Sequence, residues 1–209
     1  MPQACRKPVT LVAVSKAKSE ADIREAFAAG QRAFGENYVQ EAVAKIEAMA
    51  DLRSHGMTWH FIGPLQSNKA RQVAQHFDWM HSIDRLKIGQ ALSGCRQGRA
   101  PLNVCLQVNV SGEASKSGVA ASDALALARQ IAVLPALAFR GLMTIIENTP
   151  DEAAQRAQFR MMHQLFEELN RAGLAIDTLS MGMSHDYRAA IEEGANMVRV
   201  GSAIFGVRP

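Results

Sequence analysis

Short apolar runs alternate with longer amphipathic stretches along the whole chain. Runs rich in β-branched and aromatic residues predict strands, and stretches with apolar residues three or four positions apart predict helices. Ser19 can cap the first helix and Gly30 can end it, as polar caps and C-terminal glycines commonly do. The eight predicted strands cover residues 9–14, 32–34, 58–62, 79–83, 102–110, 139–145, 177–180 and 197–200.

Predicted helices fill the intervals between these strands, and a short helix follows the last strand from Ser202. Eight strand–helix units in 209 residues favour a parallel sheet closed into a (β/α)8 barrel. An open flavodoxin-like or Rossmann sheet is the alternative, but its five or six strands would leave some of the eight strand–helix units without a place. In addition, no G-x-G-x-x-G motif follows the first strand. No linker-like segment divides the chain, so we expect one domain over residues 1–209. The predicted helices cover residues 19–29, 38–49, 68–76, a stretch from Asp84, 122–134, 151–172 and 186–193.

The composition is typical of a globular protein, with 48% hydrophobic and 21% charged residues. The net charge of +3 is dispersed rather than gathered in a basic stripe, so we expect no nucleic-acid partner. The apolar runs are too short for a secretory signal or a membrane span. No heptad pattern or exposed apolar helix face announces a dimer, so we expect a monomer.

The cysteines and histidines show no pattern of metal ligands. Cys5, Cys95 and Cys105 are far apart and odd in number, which predicts a reduced, cytoplasmic protein. None of the six histidines is spaced as a metal pair, and we interpret His60 as a hydrogen-bonding residue that supports the fold.

Lys16 is the sharpest candidate for chemistry because it directly follows the first predicted strand. Active sites of such barrels lie at the C-terminal ends of the strands. An amine held against the apolar barrel mouth can lose its proton and form a Schiff base with an aldehyde. The alternative is an ordinary solvated lysine. Lys116 is either a mobile loop lysine or a second amine near the mouth.

Small polar residues follow the last two predicted strands, where barrels commonly bind phosphate. Gly201 lets backbone N–H groups approach an anion, and Ser202 adds a hydroxyl at the start of the terminal helix. Ser184 follows the seventh strand. Plain capping and turn formation remain the alternative for all three residues.

Three further residues near strand ends have two interpretations each. Arg199 lies inside the apolar last strand, where it forms an ion pair with Glu36 or Asp186 or else faces a ligand. Asn37 either lines a site or forms structural hydrogen bonds at the strand end. Met143 either lines a site or packs in the core.

Taken together, these segments resemble the pyridoxal phosphate homeostasis proteins, relatives of the alanine racemase barrel. The resemblance runs from Val9 to the C-terminus, and its motifs stand in family order. The matching segments are Val12-Ala-Val-Ser-Lys16, Phe34-Gly-Glu-Asn-Tyr38, Trp59-His-Phe-Ile-Gly-Pro-Leu-Gln-Ser-Asn-Lys69, Asn109 with Lys116-Ser-Gly118, Gly141-Leu-Met143, Leu179-Ser-Met-Gly-Met-Ser184 and Val198-Arg-Val-Gly-Ser-Ala-Ile-Phe-Gly206.

The resemblance implies a TIM barrel of the alanine racemase type that binds pyridoxal 5′-phosphate. It implies that Lys16 holds the cofactor as an aldimine and that Arg199 faces the pyridine nitrogen. It also implies that the phosphate is bound by Ser184, Gly201 and Ser202. The ring would be lined by Asn37 and Met143.

The sequence departs from the family pattern in two places. Family members usually carry a helix before the first strand, which we expect to be absent here, with an effect on stability rather than on the cofactor site. Ser202 stands where threonine is common and keeps the hydroxyl, while His185 occupies a variable position.

The resemblance favours a cofactor carrier without robust catalysis over an enzyme. An arginine partner is always charged and holds the ring nitrogen unprotonated, which weakens the cofactor as an electron sink. A racemase also needs a second base, and Tyr38 and Tyr187 are not obvious substitutes for the tyrosine of full-length racemases. We therefore expect a protein that stores pyridoxal phosphate and supplies it to apo-enzymes. A small racemase-like enzyme and a class I aldolase acting through Lys16 are the alternatives.

Overall fold

The computed structural model describes residues 8–111 and 117–206, and its central feature is a barrel of parallel strands. Cys5 and Lys116 lie outside the described residues. Within them, the strands are β1 Thr10–Val14, β2 Ala33–Glu36, β3 Thr58–Phe61, β4 Trp79–Ile83, β5 Leu102–Asn109, β6 Val119–Ala120, β7 Leu137–Met143, β8 Thr178–Ser180 and β9 Met197–Val200.

Eight of these strands form a closed ring. β1 pairs with β2 and with β9, and the β4–β5 pairing completes the circuit. The two-residue β6 adds to β5 beside the ring. The predicted (β/α)8 barrel is therefore confirmed.

Helices connect successive strands on the outside of the barrel. The first helix begins as predicted, because the Ser19 hydroxyl accepts a hydrogen bond from Asp22 N and the Asp22 carboxylate accepts one from Ser19 N. No helix in the described ranges is long and apolar enough to cross a membrane. The helices are α1 Glu20–Ala28, α2 Val39–Ala48, α3 Ala70–His76, α4 Leu86–Cys95, α5 Ala121–Ala132, α6 Glu152–Arg171, α7 Tyr187–Glu192 and α8 Ser202–Phe205.

Several predicted boundaries were wrong by a few residues, most clearly at β2 and β7. β2 continues through Gly35 and Glu36 because both pair with β3, although neither residue type favours a strand. β7 begins at Leu137, which pairs with Leu102, and not at residue 139 as predicted. Residues 67–69 form a short 3-10 turn, so α3 starts later than predicted.

The two faces of the strands carry different residues. Side chains alternate between the faces of a strand, and the large apolar cluster includes Ala13, Phe34 and Trp59 together with helix residues. This cluster therefore lies between the strands and the helices. The barrel interior holds a small apolar group of Val12, Ala33 and Met197 and, beyond it, buried polar side chains.

Gly141 provides a test of the tight β7–β8 contact. Its φ is 155°, and an added Cβ would lie 1.9 Å from the Thr178 carbonyl oxygen. We expect Gly141→Ala to lower the free energy of unfolding by about 3 kcal/mol or more, measured by urea denaturation.

The matched control is Gly94→Ala in α4, where an added Cβ meets nothing within 4 Å. It should stabilise the protein by up to about 1 kcal/mol, because alanine favours helices more than glycine. Equal stability changes in the two variants would contradict this account of β7 and β8.

Candidate functional site

A cavity of about 450 Å³ lies at the C-terminal ends of β1 and β9. It brings together five of the seven predicted site residues, although they come from opposite ends of the chain. The five are Lys16, Ser184, Arg199, Gly201 and Ser202; the other lining residues are Val14, Lys18, Met183, His185 and Gly206.

The backbone on both sides of Lys16 is fixed by hydrogen bonds to neighbouring elements. Ser15 N donates to the Gly35 carbonyl at 2.9 Å, and Ala17 N donates to Glu41 Oε1 at 2.6 Å. Ala17 turns the chain with a φ of 58°, a left-handed conformation. Lys16 itself is half-buried and lines the cavity.

A buried ion pair supports the strand end that carries Lys16. Glu36 is fully buried, and its Oε1 accepts hydrogen bonds from Ser15 Oγ at 2.6 Å and Lys45 Nζ at 2.9 Å. Lys45 also donates to the Ser15 carbonyl at 2.7 Å and to Glu41 at 2.6 Å. Burial raises the pKa of Glu36, while the Ser15 hydroxyl and the Lys45 ammonium lower it.

Sequence analysis did not identify Lys45 as part of this region. Its signal was the i,i+4 spacing from Glu41 on the predicted second helix, which is common on exposed helix faces and so points to no site by itself. Only the fold places this ammonium against Ser15 and Glu36.

The opposite end of the cavity is built from three small residues with backbone or hydroxyl donors. Gly201 N donates to Ser184 Oγ at 3.2 Å, which joins the loop after β8 to the loop after β9. α8 begins at Ser202, and the N–H groups of Ile204 and Phe205 both donate to the Gly201 carbonyl at 2.9 Å. A Cβ on Gly201 would lie 3.3 Å from Val14, so only a glycine fits this approach without displacement.

Arg199 is a buried cation whose hydrogen bonds go to neutral oxygens. It donates to Ser180 Oγ at 2.7 Å and to the Thr144 carbonyl at 2.8 Å. Burial lowers its pKa to about 10. Arg199 as a whole is only 3% exposed, and it lines the cavity.

Of the two interpretations of Arg199, the ion pair with Glu36 or Asp186 is not found among the described residues. Glu36 is paired with Lys45, on the other side of β1 and β2. Asp186 accepts a hydrogen bond from the Met183 N–H and lies beside His185, so its carboxylate serves the turn before α7. Neither carboxylate therefore forms an ion pair with Arg199, although the charge of Asp186 still acts on the guanidinium and raises its pKa.

The two remaining predicted site residues, Asn37 and Met143, do not line this cavity. Asn37 borders a separate cavity of about 190 Å³ with Gln107, and its buried Oδ1 has no hydrogen-bond partner among the described residues. Met143 is fully buried, and its backbone lies in register between Gln107 of β5 and Ser180 of β8.

Comparison with known proteins identifies close relatives over nearly the whole chain. The family model described as "Alanine racemase, N-terminal domain" matches residues 1–209. The pyridoxal phosphate homeostasis protein of Pseudomonas aeruginosa is 58% identical over 206 residues, which cover 97% of this chain and 87% of that protein. The protein of the same name from Escherichia coli K12 is 51% identical, with coverage of 96% and 86%.

Solved structures give the same result for the fold. PipY of Synechococcus elongatus PCC7942, solved with pyridoxal phosphate bound, is 42% identical with a TM-score of 0.87 and covers 95% of this chain and 92% of PipY. Alanine racemase from Corynebacterium glutamicum matches with a TM-score of 0.74 at 18% identity, covering 98% of this chain and 58% of the racemase. That second similarity concerns the fold alone.

The Glu36–Lys45 pair predicts a stability loss that depends on pH. Lys45→Met leaves the buried carboxylate without its cation, and we expect it to lower the free energy of unfolding by about 3 kcal/mol at pH 8. Burial already raises the folded-state pKa of Glu36, and removing Lys45 takes away a group that lowers it. The loss therefore grows as pH rises through the folded pKa and shrinks below it. Urea denaturation between pH 5 and pH 8 measures both effects.

The control is the double variant Glu36→Gln/Lys45→Met, which removes both charges. Its stability should change less with pH than that of Lys45→Met alone. A loss that is the same at all pH values in the single variant would contradict the buried ion pair.

Proposed function

Because this chain belongs to the pyridoxal phosphate homeostasis protein family, we propose that it binds pyridoxal 5′-phosphate and stores or supplies it within the cell. Its role is that of a cofactor carrier without robust catalysis. The observation that carries the proposal is the joint placement of Lys16, Arg199 and the Ser184–Gly201–Ser202 group around one cavity.

The residues of this cavity suit the three polar ends of pyridoxal phosphate. Lys16 supplies an amine for the aldehyde. Ser184 and Ser202 supply hydroxyl donors for the phosphate, and Gly201 joins the two loops that carry them through its N–H bond to Ser184 Oγ. Arg199 is a buried cation whose hydrogen-bond partners are neutral oxygens, so an anionic ligand would offset its burial.

Lys16 is the residue that we propose to bind the cofactor covalently. It is half-buried at the cavity, and the hydrogen bonds of Ser15 and Ala17 hold the backbone on either side of it. Pyridoxal phosphate, when bound, supplies an aldehyde and an electron-accepting ring.

We assign Asn37 and Met143 to the ring on the family resemblance. Met143 lies in register with Ser180, which holds Arg199, and Asn37 has a buried amide oxygen without a partner among the described residues.

The nature of Arg199 favours a carrier over an amino-acid racemase. A guanidinium donates hydrogen bonds and does not give up its proton near neutral pH, so it keeps a pyridine nitrogen unprotonated and the ring a weaker electron sink. Neither tyrosine of the chain lines this cavity: Tyr38 is 59% exposed, and Tyr187 belongs to a neighbouring groove. Within the described residues, the racemase-like alternative therefore has no tyrosine at this cavity to serve as the second base that full-length racemases use.

We further propose the setting in which the carrier acts. The chain forms a single domain over residues 1–209 and acts as a cytoplasmic monomer. Apo-enzymes that depend on pyridoxal phosphate are the acceptors. The free thiols of Cys95 and Cys105 support a reducing compartment, and burial raises the pKa of Cys105 to about 12, which keeps it unreactive.

Reductive trapping tests the cofactor and its attachment. We expect the purified protein, incubated with pyridoxal phosphate, to show a visible absorption band that borohydride removes. Peptide mapping should then find the reduced label on Lys16, and Lys16→Ala should abolish the label.

Lys18→Ala is the matched comparison, because Lys18 also lines the cavity but donates to the Phe205 carbonyl at 2.8 Å. In that variant the label should remain on Lys16. A label on Lys18 or on another lysine in the wild-type protein would overturn the assignment of Lys16, and a protein that binds no pyridoxal phosphate would overturn the function.

A further inference from the structure

A chain of hydrogen-bonded polar side chains crosses the interior of the barrel, starting from Arg199 at the cavity. We call it the interior polar chain; its members, in order, are Arg199, Ser180, His81, His60 and Thr58. They come from β9, β8, β4 and β3, so the chain spans the barrel between strands that are distant in sequence.

The contacts along the interior polar chain are short except at its far end. Arg199 donates to Ser180 Oγ at 2.7 Å, and Ser180 Oγ lies 2.9 Å from His81 Nδ1. His81 Nε2 lies 2.9 Å from His60 Nδ1, and His60 Nε2 lies 3.4 Å from Thr58 Oγ1. All of these side chains except that of Thr58 are buried.

The guanidinium fixes the direction of every hydrogen bond in this chain. An arginine can only donate, so Ser180 Oγ accepts from Arg199. Among the described residues, His81 Nδ1 is the acceptor within reach of the Ser180 hydroxyl hydrogen, so that hydroxyl donates to His81. His81 then carries its proton on Nε2 and donates to His60 Nδ1, and His60 in turn carries its proton on Nε2.

The opposite direction leaves a buried donor without a partner. If His81 Nδ1 carried the proton, Ser180 Oγ would accept from both sides and its own hydrogen would have no acceptor among the described residues. An unsatisfied buried donor is unfavourable, which selects the first arrangement. Thr58 completes it, because its hydroxyl can accept from His60 and donate to the Arg32 carbonyl at 3.4 Å.

Both imidazoles are neutral in this environment. Burial lowers the pKa of His60 to about 3. The pKa of His81 also lies well below its ordinary value, because of burial first and then the nearby His60 and Arg199. Trp79 stacks on His60 with ring centroids 5.4 Å apart, which holds the ring in place.

We propose that Ser180, His81 and His60 are positioning residues that fix the Arg199 guanidinium as a hydrogen-bond donor toward the cofactor cavity. The effect on the cofactor rests on the proposed function, whereas the geometry of the interior polar chain does not. Apolar side chains usually fill the interior of such barrels, so a buried polar chain that ends on a cavity-lining cation has a use beyond packing.

The first test needs no cofactor. Nitrogen-15 spectra of the histidine side chains in the cofactor-free wild-type protein should show His60 and His81 as neutral rings protonated on Nε2 at pH 6 to 7. Assignment uses His60→Gln and His81→Gln. A proton on Nδ1 of either ring, or a doubly protonated ring, would overturn the direction of the chain.

The second test breaks the link between Arg199 and the histidines. Ser180→Ala removes the oxygen that accepts from Arg199, and we expect the Kd for pyridoxal phosphate to rise roughly tenfold, as for the loss of a hydrogen bond to a charged group. The visible band of the bound cofactor should also shift, because the guanidinium that contacts the ring is no longer fixed.

The matched control is Ser93→Ala, which removes the same hydroxyl from α4, where Ser93 Oγ donates to the Pro135 carbonyl at 2.7 Å. Its Kd and band should equal those of the wild type. Equal values for Ser180→Ala would overturn the positioning role. A wild-type protein that binds no pyridoxal phosphate would instead overturn the proposed function, and the histidine spectra would still decide whether the interior polar chain exists.

Discussion

The burial of the Arg199 guanidinium is the constraint on which the barrel interior depends. A buried cation is unfavourable unless hydrogen bonds or an opposite charge compensate it, and its hydrogen bonds here go to the hydroxyl of Ser180 and the carbonyl of Thr144. These contacts leave the positive charge itself uncompensated by any carboxylate at salt-bridge distance among the described residues. The cavity that the guanidinium lines is therefore suited to a polar, anionic ligand.

The alternation of side chains along the strands separates stability from function. The outward-facing residues pack against the helices in one large cluster, which contains most of the buried apolar residues. The inward-facing residues are free to be polar, and they form the interior polar chain. Outside the ring, the Glu36–Lys45 pair holds the end of β1, so the strand that carries Lys16 is anchored by charge as well as by its pairing with β2 and β9.

The sequence predicted the fold and the locations of most site residues because both depend on local patterns. Lys16, Ser184 and Ser202 each follow a recognisable apolar run, and in a parallel barrel all such positions meet at one end. The partners of Arg199 could not be predicted in this way, because Thr144 and Ser180 are 55 and 19 residues away in sequence and only the strand register brings them together. The same applies to Lys45, whose spacing from Glu41 is typical of an exposed helix.

We propose that Arg199, held as a donor, suits this barrel to carrying pyridoxal phosphate rather than to amino-acid chemistry. The most direct test measures α-proton exchange of alanine and other amino acids in deuterated water with the cofactor-loaded protein, followed by proton NMR. We expect the loaded protein to exchange the α-proton no faster than free pyridoxal phosphate does at the same concentration. Exchange many times faster than that, abolished by Lys16→Ala, would contradict the account and identify the protein as an enzyme.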